Sequence, residues 1–261
     1  MFTNPKIHLF LNEIRLMWHQ LTSFLSFQIK SVLAFFESIS KEEKLFYTNL
    51  KNSVDSNHES SFKRYRKELL NSSETIQVTD FGAGSKIFKS NVRPISKIAK
   101  IAGISQKKAI RLIRICKAYQ PKNILEIGTS LGLGTFALHL GANNAKISTI
   151  EGCPNTAAIA QRELKKYRAE NVEIIVGEFD RTLPSLLKKH HYDFIYFDGN
   201  HSESATLKYF NWAVQNSKQG DLYVFDDIHW SKQMNKAWKE IQKHPQVKSN
   251  ITTFEWGILF F

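Results

Sequence analysis

Five short apolar runs dictate what this chain folds into. They read NILEIG (123–128), KISTIE (146–151), VEIIVG (172–177), YDFIYFD (192–198) and DLYVFDD (221–227), with helical spacing at roughly 134–141, 154–169, 181–190 and 202–217 between them. Short strands alternating with helices predict an α/β domain, a doubly wound parallel sheet covered on both faces. The ending differs. VKSNITTFEWGILFF holds two strand-like pieces with a short turn and no helix between them. An antiparallel pair there completes a seven-stranded, mostly parallel sheet with an antiparallel last strand. With 261 residues there is room for this domain over 95–261 and an N-terminal helical extension over 1–94.

Charge separates the same two regions. Residues 1–119 carry 20 Lys and Arg against 9 Asp and Glu, while residues 120–261 carry 16 against 15. The stretch IHLFLNEIRLMWHQLTSFLSFQIKSVLAFFESI is apolar, but Glu13, Arg15, His19, Gln20, Gln28 and Lys30 interrupt it. It falls short of the roughly 20 apolar residues that cross a bilayer, so no transmembrane span is expected. One or two amphipathic helices are expected instead, packed on the main domain, set in a homodimer contact or laid on a membrane surface. KNSVDSNHESS (51–61) reads as a linker, FKRYRKELL (62–70) as a basic helix and VTDFGAGSK (78–86) as a turn around Gly82 and Gly84. From Ile95 to Tyr119 the spacing is helical and Pro121 closes it. Cys116 and Cys153 lie 37 residues apart without metal-type spacing, which suits buried thiols in a reducing cytoplasm.

In an open α/β sheet, ligands bind beyond the carboxyl ends of the strands. The residues there are Glu126 and Gly128, then Glu151, then Gly177 to Asp180, then Asp198, then Asp226 and Asp227. An acid closes every run, which points to a site rather than to solubility. After the first run the glycines fall at Gly128, Gly132 and Gly134, which departs from the G-x-G-x-x-G of dinucleotide folds. No lysine follows a glycine there, so a phosphate-cradling loop is excluded. The glycines alone leave a dinucleotide and a methyl donor nearly level.

The E-x-G-x-x-x-G pattern resembles the first motif of class I S-adenosylmethionine-dependent methyltransferases. IIVGEFDRTLP, YDFIYFDGNHSESATLKYF and DLYVFDDIHWSKQMNKAWKEI resemble the catechol-type O-methyltransferases, and still more closely a group of uncharacterised bacterial class I enzymes. The resemblance implies that S-adenosyl-L-methionine is the cofactor. Its amino-acid part would lie against Glu126, Gly128, Thr129, Ser130, Gly132 and Gly134. Its ribose would meet Glu151 beside Gly152, its adenine Glu178 and Phe179, and Asp198 is counted among the cofactor contacts. In the catechol-type enzymes three positions hold Mg²⁺, and these map onto Asp198, Asp226 and Asp227, oxygen ligands suited to a hard cation. The second strand-five residue is here Asp where the family has Asn. His201 is the first candidate for a base, with Asp198 and Asp226 next, and Trp230 for a wall of the acceptor pocket. The expected acceptor is a small molecule methylated on oxygen.

Two other readings compete. ISKIAKIAGISQKKAIRLIRI (95–115) imitates a helix-turn-helix, with Lys107, Lys108, Arg111 and Arg114 where groove-facing residues belong. Against nucleic acid, this segment runs straight through Pro121 into the first strand. The other reading is a methyltransferase fold that binds cofactor without catalysis, and five retained strand-end acids disfavour it.

Overall fold

The computed structural model describes Thr48, residues 54–79 and residues 90–261. The amphipathic helices expected before residue 40, and the turn at Gly82 and Gly84, lie outside the described residues. The first described helix, α1, spans Ser56–Leu70, so it starts inside the stretch expected to be linker. The reason is a cap: the Asp55 carboxylate accepts from the Asn57 amide at 2.8 Å and satisfies an end that would otherwise fray. Phe62, Tyr65 and Leu69 fall on one face of α1 and are buried. Tyr65 stacks on Phe136 with 4.7 Å between ring centroids and donates from its hydroxyl to the Leu131 carbonyl at 2.9 Å. A short hairpin follows, β1 (Thr75–Gln77) and β2 (Val92–Pro94), which the sequence reading did not anticipate.

The helical run after Pro94 is two helices, α2 (Ile95–Ile101) and α3 (Gln106–Tyr119). The chain turns between them at Gly103, where an added Cβ would lie 2.4 Å from Leu133 and 2.5 Å from the Ala99 carbonyl. Ser105 then caps α3 by accepting from the Lys108 amide at 3.3 Å.

All seven strands expected for the sheet form, as β3 (Asn123–Ile127), β4 (Lys146–Glu151), β5 (Val172–Val176), β6 (Phe194–Phe197), β7 (Leu222–Asp226), β8 (Ser249–Thr252) and β9 (Trp256–Phe260). Their order is β5-β4-β3-β6-β7-β9-β8. The first five are mutually parallel, and β9 pairs antiparallel with both β7 and β8. Between them run α4 (Leu133–Gly141), α5 (Pro154–Lys166), α6 (Phe179–Lys189), α7 (Glu203–Val214) and α8 (Lys232–Ile241).

Strand alternation sends successive side chains to opposite faces. Phe194 and Tyr196 of β6 join the core under α1 to α4, while Ile195 and Phe197 join the core under α6 to α8. The chain leaves β3 toward β4 on one side and returns to β6 on the other. The crevice at the carboxyl ends of β3 and β6 is therefore the switch point where such sheets bind ligands. Among the described residues no helix is long and apolar enough to cross a membrane.

Candidate active site

The loop after β3 is held down on its neighbours. The amides of Gly128 and Thr129 both donate to the Ile150 carbonyl at 3.1 Å. Ser130 donates its amide to Glu151 Oε2 at 2.8 Å, and Glu151 Oε1 accepts from the Cys153 amide at 2.9 Å. Gly128 has φ +110°, and an added Cβ would come within 2.4 Å of the Asp198 carbonyl oxygen. Only glycine meets both demands. The loop thus crosses the switch point in contact with the end of β6.

Beneath the loop lies Glu126, fully buried. Its Oε2 accepts from Thr135 at 2.5 Å and from Thr149 at 2.6 Å. Its Oε1 has no hydrogen-bond partner and sits 2.5 Å from where a Cβ on Gly134 would be. Burial pushes the Glu126 carboxyl up to about 8, against the pull of the two threonine bonds. An unfolded glutamate ionises near 4.3, so the unfolded chain releases this proton first. Stability is therefore greatest below that value and falls as pH rises toward 8, by at most about 1.4 kcal/mol per pH unit for one group. Glu126→Gln removes this slope. Urea midpoints at pH 5 and pH 8 are expected to diverge between the two proteins as pH rises, with the variant the more resistant at pH 8. Parallel profiles would show that Glu126 is already ionised at pH 5.

Thr129 faces inward, its hydroxyl 2.6 Å from that of Thr149, so it offers the crevice only its backbone. Gly132 precedes α4 as its N-cap with no side chain to cap it. Glu178 stands at the N-cap position of α6 without a capping side-chain bond, and Phe179 follows it, edge-on to Tyr209 with 5.9 Å between centroids. The Phe179 ring also covers Gly199, where an added Cβ would meet it at 2.7 Å. Gly152 lies in the turn between Glu151 and Cys153. The α2–α3 corner roofs the crevice, with Ala99, Gly103 and Ile104 facing Ser130, Leu133 and Asp198.

Across the crevice the two acids at the end of β7 meet a lysine. Lys108 Nζ lies 2.5 Å from Asp226 Oδ1 and 3.3 Å from Asp227 Oδ1. Asp226 Oδ2 accepts from the Tyr196 hydroxyl at 3.0 Å, and Oδ1 also accepts from the Asp227 amide at 2.8 Å. Burial works to raise the Asp226 carboxyl, but Lys108 outweighs it and holds the group below its ordinary value. Burial, then the Asp226 charge, raise both Asp198 and Asp227. Burial opposes the charge on Lys108, yet Asp226, Asp227 and Asp198 hold the ammonium above its usual range. His201 Nε2 stands 3.8 Å from Asp198 Oδ1. His229 is already engaged: its Nδ1 accepts from the Asn235 amide group at 2.8 Å. Trp230 is 42% exposed at the rim.

Three expectations change. Of the three acids expected to present a cation site, Asp226 and Asp227 meet Lys108 while Asp198 stands by His201, and among the described residues no group of three or more such side chains is arranged to hold a metal. Glu126 is turned under the loop, with Oε2 committed to two threonines and Oε1 buried without a hydrogen-bond partner. Two of the groove-facing cations of the helix-turn-helix reading are engaged inside the domain, Lys108 with the acids and Arg111 with Glu255. Sequence reasoning missed the site role of Lys108 because its spacing fitted a DNA-reading helix equally well.

The strand order matches the methyltransferase fold. Residues 125–228 match the family model described as a methyltransferase domain. The chain is 29% identical over 135 residues to a catechol O-methyltransferase of Mycobacterium tuberculosis, a match covering 51% of this chain and 60% of that protein. It is 31% identical over 129 residues to a catechol O-methyltransferase of Niastella koreensis, covering 48% and 56%. The matches thus span little more than half the length of these relatives. The SAH-bound methyltransferase PaMTH1 of Podospora anserina superposes with a TM-score of 0.58 at 16% identity, over 86% of this chain and 97% of that one.

Proposed function

We propose that this protein transfers a methyl group from S-adenosylmethionine to an oxygen of a small molecule. The observation that carries the reading is the placement of a bare loop, Gly128 to Gly134, beside the Glu151 carboxylate at the switch point. Three details fit the cofactor. The α4 N-terminus has amides without a side-chain cap, which favours a carboxylate. The orphaned Glu126 Oε1 below Gly134 suits an ammonium donor. Glu151 presents a carboxylate beside the loop, its two oxygens accepting from the Ser130 and Cys153 amides, and a carboxylate is the acceptor type that vicinal ribose hydroxyls need. Phe179 at the start of α6 offers an aromatic face for adenine. The naming of both sequence relatives as catechol O-methyltransferases supports oxygen as the acceptor atom.

When bound, the cofactor would supply an electrophilic methyl carbon on its sulfonium sulfur, which leaves as the thioether of S-adenosylhomocysteine. The protein's part is to align the acceptor behind that carbon, exclude water and take up the acceptor's proton. In this reading His201 takes the proton, its Nε2 standing 3.8 Å from the Asp198 carboxylate. Calorimetry with S-adenosylmethionine and S-adenosylhomocysteine tests the cofactor assignment: one molecule of each is expected to bind, and at least tenfold more weakly to Glu151→Ala. Binding of neither ligand would defeat the reading. Binding without transfer of labelled methyl to any of a panel of phenols and alcohols would favour a non-catalytic role.

A further inference from the structure

We infer that Lys108 is the resident cation of this site, held by Asp226 and Asp227 of the three acids expected to take a divalent metal, so that the transferase works with an internal ammonium in place of a metal ion. The statement about transfer rests on the proposed function, whereas the occupancy of the acid cluster is a property of the resting protein.

The first support is competition for the same oxygens. Mg²⁺ needs its ligands at about 2.0–2.1 Å in near-octahedral array. Asp226 Oδ1 is already shared by the Lys108 ammonium and the Asp227 amide, and Oδ2 is held by Tyr196. Asp227 Oδ1 is taken up by the same ammonium at 3.3 Å. A dication among these oxygens would have to expel Lys108 or lie against a like charge.

The second support is how firmly Lys108 is placed. It sits in the first turn of α3, where the Ser105 hydroxyl accepts from its amide. The next residue, Ala109, and Leu112 one turn on are fully buried in the core. The Lys108 side chain is only 13% exposed. Its stem is thus committed to the interior, and its head meets carboxylates 118 and 119 residues later in the chain. An ammonium donates hydrogen bonds but offers no open coordination position to an acceptor oxygen. Lys108 is therefore a positioning residue that sets Asp226 and Asp227. Proton removal is left to His201, as in the proposed function.

Mn²⁺ alone, followed by electron paramagnetic resonance, tests the inference without any acceptor. Wild type is expected to bind no Mn²⁺ at the cluster up to millimolar concentration. Lys108→Met is expected to acquire one site with at least tenfold higher affinity, lost again when Asp226→Asn is added. Lys108→Arg, which keeps the charge, is expected to behave as wild type. Mn²⁺ binding by wild type that Asp226→Asn abolishes would overturn the inference, as would a folded Lys108→Met protein that gains no site. Should Lys108→Met fail to fold, the wild-type and Lys108→Arg titrations still decide it. S-adenosylhomocysteine calorimetry on the same samples reads the cofactor assignment separately, so either idea can fail alone.

Discussion

Gly128→Ala is expected to lower stability by about 3–4 kcal/mol and to abolish S-adenosylhomocysteine binding. Two costs combine in it. The residue must hold φ +110°, which L side chains rarely adopt, and its new Cβ would meet the Asp198 carbonyl oxygen at 2.4 Å. That oxygen is backbone at the end of β6, and the Asp198 amide is itself bonded to the Ile127 carbonyl at 3.0 Å. The clash therefore moves the loop or the strand end, not a flexible side chain. Gly220→Ala separates the two costs. Gly220 also has positive φ, +98°, but nothing lies within 4 Å of the added carbon. It is expected to lose only about 1 kcal/mol, the conformational part. Urea unfolding of both variants gives the difference. Equal losses would show that the loop gives way to Asp198 without cost, and that the tight crossing is not what shapes the crevice.

His201→Ala is expected to reduce turnover about 10²–10⁴-fold, the usual contribution of a positioned general base. Affinity for S-adenosylhomocysteine should change by less than threefold. The ring sits beside Asp198, outside the loop that crosses β3, so its loss removes proton transfer and leaves the cofactor's contacts in place. Of the two strand-end histidines it is the one suited to this role, because His229 Nδ1 is bonded to Asn235 and its ring stacks on Phe254. The measurement is initial rate with the best acceptor from the labelled-methyl panel, across pH 6–9. Unchanged turnover would take His201 out of the mechanism. A parallel fall in cofactor affinity would assign it to binding instead.

The strands were readable because buried parallel strands must be apolar on both faces, and each run here ends where the apolar residues end. The crevice acids were readable for the same reason. A carboxylate that stops an apolar run sits at the strand's open end, whatever the rest of the fold does. The α1 start was not, because its polar first turn looks like linker, and only the Asp55 cap distinguishes it. The hairpin of three-residue strands was too short to carry a period. Lys108 was the largest gap. Its partners are 118 and 119 residues away, and no local pattern tells a lysine that reaches across a sheet from one that meets solvent. The direction of Glu126 was hidden similarly. Its register opposite Tyr196 and its contact with Thr135 and Thr149 exist only once β3, β4, β6 and α4 have assembled.

Three residues other than glycine hold left-handed backbone just past the ends of β3, β6 and β7: Ser130 (φ +49°), Asn200 (φ +50°) and Asp227 (φ +52°). All three lie on the rim of the crevice. Two more, Gln120 (φ +51°) and Arg168 (φ +55°), lie at the opposite end of the sheet, before β3 and β5, so both ends carry this conformational cost. Relaxing Gln120 or Arg168 for thermal resistance would not loosen the loops that aim Asp198, His201 and Asp227, whereas relaxing the three rim positions would. A tougher protein obtained that way would be a blunter one. Substitutions at the far end of the sheet leave that aim untouched.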